Sequence, residues 1–142
     1  MKHRAAISLT IFLMLLSLFP RAGAEQNASP PVSQEKLTLE RAYMCEGVEG
    51  NSPYNQAVVF SAGLGRVFCF TQFNPVPENT FVFHNWYLKD KLHFSKKLAL
   101  RKPQWTTFST ISIRVNDKGP WRVEILDSGE RRLRTLRFSI VD

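Results

Sequence analysis

The sequence predicts an all-β domain, for which we expect an immunoglobulin-like antiparallel β-sandwich of about eight strands, with a small β-barrel as the alternative. Short runs rich in β-branched and aromatic residues recur after residue 36, and clusters of Gly, Pro, Asn and Asp separate them. None of these runs shows the sustained 3.6-residue periodicity of an amphipathic helix. The 118 residues that follow residue 24 are enough for one domain to bury a hydrophobic core without a structural metal.

The predicted strands follow one another from Leu37 to Val141. In order they are LTLERAYM, QAVVFSAG, RVFCFTQF, TFVFHNWYL, KLHFSKKLAL, TTFSTISIRV, WRVEILD and LRTLRFSIV. Turn-forming residues lie between them, at 47–53, 63–65, 74–79, 89–90, 117–120 and 128–129. Many short strands separated by such turns favour a sandwich or a barrel.

Residues 1–24 are typical of a secretory signal peptide. A basic segment at 2–4 precedes an apolar run at 5–19, which is shorter than the stretch of about 20 residues that spans a bilayer. The small residues at 22–24 fit the recognition pocket of a signal peptidase, so we predict cleavage before Glu25. The mature protein is therefore expected to be periplasmic or secreted.

The mature chain is predicted to consist of a flexible leader, residues 25–36, and the β-sandwich domain, residues 37–142. The leader, EQNASPPVSQEK, is polar and contains a Pro-Pro pair, so it cannot bury enough apolar surface to offset its ordering entropy. Loss of the signal peptide removes three basic residues and no acidic ones, which lowers the net charge from +7 to +4. This charge does not favour nucleic acid as a partner. No second apolar run is long enough for a transmembrane segment.

Cys45 and Cys69 are the only two cysteines of the chain. Because an exported protein meets an oxidising compartment, we predict that they form a disulfide, worth about 3 to 4 kcal/mol on the chain-entropy model. The alternative is a pair of buried free thiols that pack as small apolar groups.

The hairpin TFVFHNWYLKDKLHF contains two histidines and a tryptophan. If Lys89 and Asp90 form a two-residue turn, Trp86 lies opposite His93 and shares a face with His84. We therefore predict a partly exposed binding surface made of His84, Trp86 and His93. A slip of one residue would place Trp86 in the core instead, and this register stays open because Lys89 is a poor residue for the positive φ of such a turn.

No catalytic, cofactor-binding or metal-binding residues are predicted, and the protein is expected not to be an enzyme. Two histidines fall short of the three protein ligands that zinc normally requires. The sequence also lacks a G-x-S-x-G elbow, an H-E-x-x-H helix and a phosphate-binding glycine loop.

Several segments resemble a known bacterial family, the domain of unknown function 2914. They are MCEGVEG, GRVFCFTQF, HNWYLKDK, QWTTFSTISI and GPWRVEILDSGERRLRTLRFSIV, and together they extend over most of residues 37–142. The resemblance implies an all-β domain of bacterial exported or envelope-associated proteins. It implies no catalytic residues, because the activity of the family is itself unassigned.

Together these observations predict a non-catalytic binding or interaction module of the bacterial periplasm or cell envelope. Its partner is expected to be a protein or an envelope component, recognised through a sheet face or through the loops at one end of the sandwich. The alternatives are a structural accessory domain and, third, an uncharacterised envelope enzyme.

Overall fold

The computed structural model describes residues 33–142, in which nine strands form two sheets. The strands are β1 (Leu39–Glu49), β2 (Ser52–Gln56), β3 (Val59–Ser61), β4 (Arg66–Phe73), β5 (Thr80–Leu88), β6 (Lys91–Leu100), β7 (Trp105–Ser112), β8 (Gly119–Leu126) and β9 (Arg132–Val141). Two single-turn 3₁₀ helices lie at Ala62–Leu64 and Val115–Asp117. The predicted signal peptide and most of the predicted leader lie outside the described residues. None of the helices within residues 33–142 could span a membrane.

The two sheets have the strand orders β2-β1-β4-β7 and β3-β9-β8-β5-β6. Every neighbouring pair is antiparallel except β3 and β9, which are parallel. Apart from the edge strands β2 and β3, this order corresponds to the A-B-E and G-F-C-C′ sheets of immunoglobulin-type sandwiches. The predicted β-sandwich is therefore confirmed, and the barrel alternative is not formed because the two sheets remain separate.

The core lies between the sheets and consists of the side chains that point inward from alternate strand positions. From the four-stranded sheet it contains Ala42, Met44, Val67, Cys69, Phe73 and Ile111, and from the five-stranded sheet Val82, Trp86, Trp121, Val123, Ile125, Phe138 and Ile140. The Phe138 ring stacks on the Trp121 ring at 5.9 Å and meets the Trp86 ring edge to face at 6.0 Å. Large rings dominate this core because each buries more apolar area than an aliphatic side chain.

The hairpin of β1 and β2 differs from the sequence prediction, which had a turn across residues 47–53. The strand β1 instead continues through Gly47 to Glu49, and Ser52–Gln56 pairs back on it as β2. Tyr54 lies opposite Gly47, where a Cβ atom would come within 2.1 Å of the tyrosine oxygen. The Tyr54 ring thus occupies the space above a glycine that would otherwise weaken the strand.

The outer side of the five-stranded sheet carries ion pairs and cation–π contacts. Arg122 pairs with Asp90 and with Glu124, and its guanidinium lies 4.1 Å from the centroid of the Tyr87 ring. Lys97 lies 3.8 Å from the centroid of the Phe81 ring. These long side chains cover the aromatic rings on this side of the molecule. We call this surface the charged face.

Candidate functional site

The β5–β6 hairpin has the predicted turn but not the predicted register. Lys89 and Asp90 both adopt positive φ, 50° and 64°, and Leu88 pairs with Lys91 as expected. A β-bulge then inserts His93, so that Trp86 pairs with Phe94 and not with His93. The extra residue moves every later β6 side chain to the other face of the strand.

The predicted His84, Trp86 and His93 surface is not formed, and this prediction is wrong. His84 and Trp86 are 0 % exposed and point into the core, as in the one-residue slip that the sequence left open. His93 is exposed, and its ring meets the Trp121 ring edge to face at 5.0 Å. The two histidines therefore do not share a site. Within residues 33–142, no three His, Cys, Asp or Glu side chains come together as metal ligands.

A chain of polar side chains crosses the core where His84 lies. Trp86 Nε1 donates a hydrogen bond to Ser109 Oγ at 3.0 Å, and Ser109 Oγ lies 2.8 Å from His84 Nδ1. His84 Nε2 lies 3.3 Å from Thr71 Oγ1, which donates to the carbonyl of Thr107 at 3.3 Å. We call this set the polar chain. It links β5 of one sheet to β4 and β7 of the other.

One assignment of hydrogens satisfies every member of the polar chain. Ser109 accepts from Trp86 and donates to His84 Nδ1, while His84 donates from Nε2 to Thr71. The imidazole is then neutral, and burial lowers the pKa of His84 from 6.5 to about 3. The Ser109–His84 pair resembles a nucleophile and its base, but both side chains are buried and have no side open to a substrate. Its contribution is to hold the two sheets in register.

The predicted Cys45–Cys69 disulfide is not formed, because both residues are buried free thiols. Cys69 pairs with Met44 and points into the core, whereas Cys45 pairs with Phe68 and points to the outer side of the same sheet. Antiparallel neighbours on opposite sides of a sheet cannot be bridged without movement of the backbone. Burial raises the pKa of the Cys45 thiol to about 11 and raises that of Cys69 as well, aided there by the proximity of Cys45. Neither thiol is therefore activated as a nucleophile.

The outer side of the four-stranded sheet carries a cluster of aromatic side chains, which we call the aromatic face. Tyr43, Phe70 and Phe108 form one row across three neighbouring strands, Phe68 lies in the adjoining row, and Tyr54 lies in the row beyond it. Tyr43, Tyr54 and Phe108 are 37 %, 44 % and 42 % exposed, whereas Phe70 at their centre is 1 % exposed. Tyr43 stacks on Phe70 at 6.5 Å, and Phe68 packs on Phe108 at 5.7 Å.

A polar cavity of about 290 Å³ adjoins the aromatic face, and we call it the amide cavity. Gln72 of β4 and Thr106 of β7 pair across the sheet, two residues from the Phe70–Phe108 pair. Gln104 and Trp105 line the cavity at the start of β7, and Asn51 lines it from the turn between β1 and β2. None of these five lining residues is charged.

Sequence reasoning missed the aromatic face, although a signal for it is present. In the segments AYM and VFCFTQF, apolar residues occupy both phases of the strand alternation. A strand that is apolar in both phases is either buried on both sides or exposes an apolar surface. In an immunoglobulin-type sandwich, moreover, a buried tryptophan on the strand equivalent to β5 is a hallmark, and this would have placed Trp86 in the core.

The fold and the exposed aromatic face define the protein as a two-layer β-sandwich module. Residues 79–140 match the family described as protein of unknown function (DUF2914), which supports the resemblance seen in the sequence over that part of the chain. The matched segment extends from the residue before β5 to near the end of β9, so it includes Phe108 and Trp105 but neither cysteine. No curated protein matches the chain.

Proposed function

We propose that the protein is a non-catalytic binding module of the periplasm or cell envelope, and that it binds an envelope component through the aromatic face. The observation that carries this proposal is the row of Tyr43, Phe70 and Phe108, in which two rings are exposed and the third forms a buried base. A contiguous aromatic patch on an outer sheet face marks an interaction surface more often than scattered exposed rings do. The predicted signal peptide supports the location.

The buried centre of the aromatic face favours a binding role over a loosely packed surface. Phe70 and Cys45 are fully buried although both point away from the core between the sheets. The exposed rings around them are therefore packed on a fixed support and lose little conformational freedom when a ligand binds. Pre-organised aromatic anchors surrounded by polar groups are typical of binding hot spots.

A co-sedimentation experiment tests the proposal. The insoluble envelope fraction of the producing organism is mixed with purified mature protein, and the bound fraction is measured against protein concentration. We expect saturable binding by the wild type and a loss of about tenfold or more in affinity for the double variant Tyr43→Ser, Phe108→Ser, because exposed anchors are removed without a change in the core.

The matched control is Leu92→Ser, which removes an apolar side chain that is 52 % exposed on the other sheet. This control should bind like the wild type. Equal binding by the wild type and the double variant, with both folded by circular dichroism, would contradict the proposal. It would favour a purely structural role for the domain.

A further inference from the structure

We propose that the amide cavity is a saccharide-binding site that holds one sugar ring of a neutral glycan, with the exposed Phe108 ring beside it as the stacking surface. This inference rests on the proposed function and names the ligand class of that binding surface.

The hydrogen-bonding groups of the cavity suit hydroxyl groups. Asn51, Gln72 and Gln104 each carry a carbonyl acceptor and an NH₂ donor, and Thr106 adds a hydroxyl. Within residues 33–142, the three amide side chains make no hydrogen bonds to other protein groups, so their donors and acceptors remain available to a ligand. A sugar hydroxyl is both donor and acceptor and can pair with either end of an amide.

The uncharged lining of the cavity disfavours charged ligands, which are common in a cell envelope. A phosphate or carboxylate would need a basic partner, and an ammonium group would need an acidic one. The lining contains neither. The charged side chain in the same cross-strand row is Arg41 of β1. It pairs with Gln72 of β4 but does not line the cavity. A neutral ligand therefore fits the site best.

An exposed ring of the aromatic face supplies the apolar half of the site. One face of a pyranose ring presents C–H groups and packs against an aromatic ring, while the hydroxyl groups at its rim face polar side chains. Phe108 offers such a ring on the same side of β7 as the amide cavity. Trp105 pairs with the buried Phe73 and therefore points to the other side of β7, but it borders the cavity. Trp105 is 37 % exposed, whereas Trp86 and Trp121 are 0 % and 3 % exposed. Trp105 is thus the one tryptophan of the chain that a ligand can reach without unfolding the core.

The size of the cavity and its surroundings suit one unit of a longer chain. A volume of about 290 Å³ lies just below the range of pockets for drug-sized ligands, about 300 to 1,000 Å³. The row that contains Gln72 and Thr106 adjoins the row that contains Tyr43 and Phe108. Further sugar rings can therefore extend from the cavity across the exposed rings of the aromatic face.

Nuclear magnetic resonance of the three tryptophan indole groups tests the inference. Mature protein with ¹⁵N-labelled tryptophan is titrated to millimolar concentration with cellotetraose, with maltotetraose and with the tetramer of N-acetylglucosamine. We expect a saturable shift of the Trp105 signal with at least one of the three. The Trp86 and Trp121 signals should stay in place and report that the core is intact.

Two variants of the cavity and two controls complete the test. Gln72→Ala and Gln104→Ala should each weaken the binding by about tenfold, because each leaves a bound hydroxyl group unpaired. Gln56→Ala, an amide of the same sheet outside the cavity, should have no effect. Binding should also be the same in Arg41→Gln and at high salt, since a neutral ligand is not screened.

Three results would overturn the inference. They are the absence of a Trp105 shift with all three tetrasaccharides, binding that is unaffected by both cavity variants, and binding that is lost in Arg41→Gln or at high salt. If envelope binding depends on Tyr43 and Phe108 while no tetrasaccharide binds, the saccharide inference fails and the proposed function stands. If the protein binds neither the envelope fraction nor any tetrasaccharide, the proposed function and the saccharide inference both fail.

Discussion

On the outer side of the five-stranded sheet, long cationic side chains cover the aromatic rings, whereas on the outer side of the four-stranded sheet the rings themselves meet the solvent. Within residues 33–142, both cation–π contacts lie on the charged face, at Tyr87 and Phe81. No cation of the described part of the chain covers Tyr43 or Phe108 of the aromatic face in this way. Exposed aromatic residues therefore differ in availability, and the neighbours of each ring decide which are free to bind.

The two outer faces also differ in how they are supported. The aromatic face has a buried floor of Phe70 and Cys45, so it contains a small apolar cluster of its own outside the main core. The charged face has no fully buried aromatic side chain, since Phe81, Phe83 and Tyr87 are all half-buried. Apolar burial thus stabilises one outer face, while screened electrostatic contacts dominate the other.

Among the substitutions on the two outer faces, truncation of Phe70 should cause the largest loss of stability. Phe70→Ala removes a fully buried ring and is expected to lower the free energy of unfolding by about 3 to 5 kcal/mol. Phe83→Ala, the matched change on the charged face, removes a half-buried ring and should cost less than about 2 kcal/mol. Urea unfolding of both variants measures the difference. Equal losses would show that the aromatic face has no buried floor.

The polar chain lies in the core between the two sheets and belongs to neither outer face. Its response to pH should therefore change the stability of the whole domain. The neutral form of His84 is favoured in the fold, whereas the unfolded chain binds a proton below pH 6.5, so acid favours unfolding. This contribution to stability is complete above pH 6.5 and is lost as the pH falls toward about 3, at up to about 1.4 kcal/mol per pH unit.

Urea unfolding at a series of pH values checks this prediction. His84→Gln should lower the stability at pH 7 but flatten the dependence on pH between 6.5 and about 3. His93→Gln, which changes the exposed histidine of the same hairpin, is the control and should keep the wild-type slope. A wild-type slope in His84→Gln would mean that the proton uptake on unfolding occurs elsewhere.

The smallest effect is expected at the ion pairs of the charged face. Arg122→Gln removes the contacts with Asp90 and Glu124, but surface ion pairs gain little in a high dielectric and are screened by salt. We expect a slight decrease in the urea midpoint at low ionic strength that disappears at high ionic strength. A large decrease that persists in salt would show that Arg122 stabilises the sheet by covering Tyr87 and not by its charge.

The sequence was sufficient to predict the sandwich and most of its turns because these depend on local patterns. The Lys89–Asp90 turn is an example: two apolar strands flank it, and the chain reverses there although Lys89 is unfavourable at positive φ. Strand β2 was missed for a local reason as well. Its segment SPYNQ reads as a loop, and only the packing of Tyr54 over Gly47 shows why it pairs.

Face assignments could not be predicted in the same way, because they depend on cross-strand register. In β5 both alternating sets are apolar, so the pattern does not decide whether Phe83 or Trp86 points inward. The cysteines present the same difficulty. The side of the sheet on which each cysteine lies is known only once Met44 is seen to pair with Cys69. Both wrong predictions, the binding surface and the disulfide, follow from this missing information.

The bulge at His93 makes the turn end of the β5–β6 hairpin tolerant of changes in chain length. Loss of this one residue would leave the neighbouring pairs Trp86–Phe94 and Tyr87–Leu92 in place. Loss of one residue between Phe94 and Leu98 would instead turn the strand over and bring its last buried leucines to the solvent. We therefore expect single-residue insertions and deletions among related chains to accumulate beside the turn and to be absent from the second half of β6.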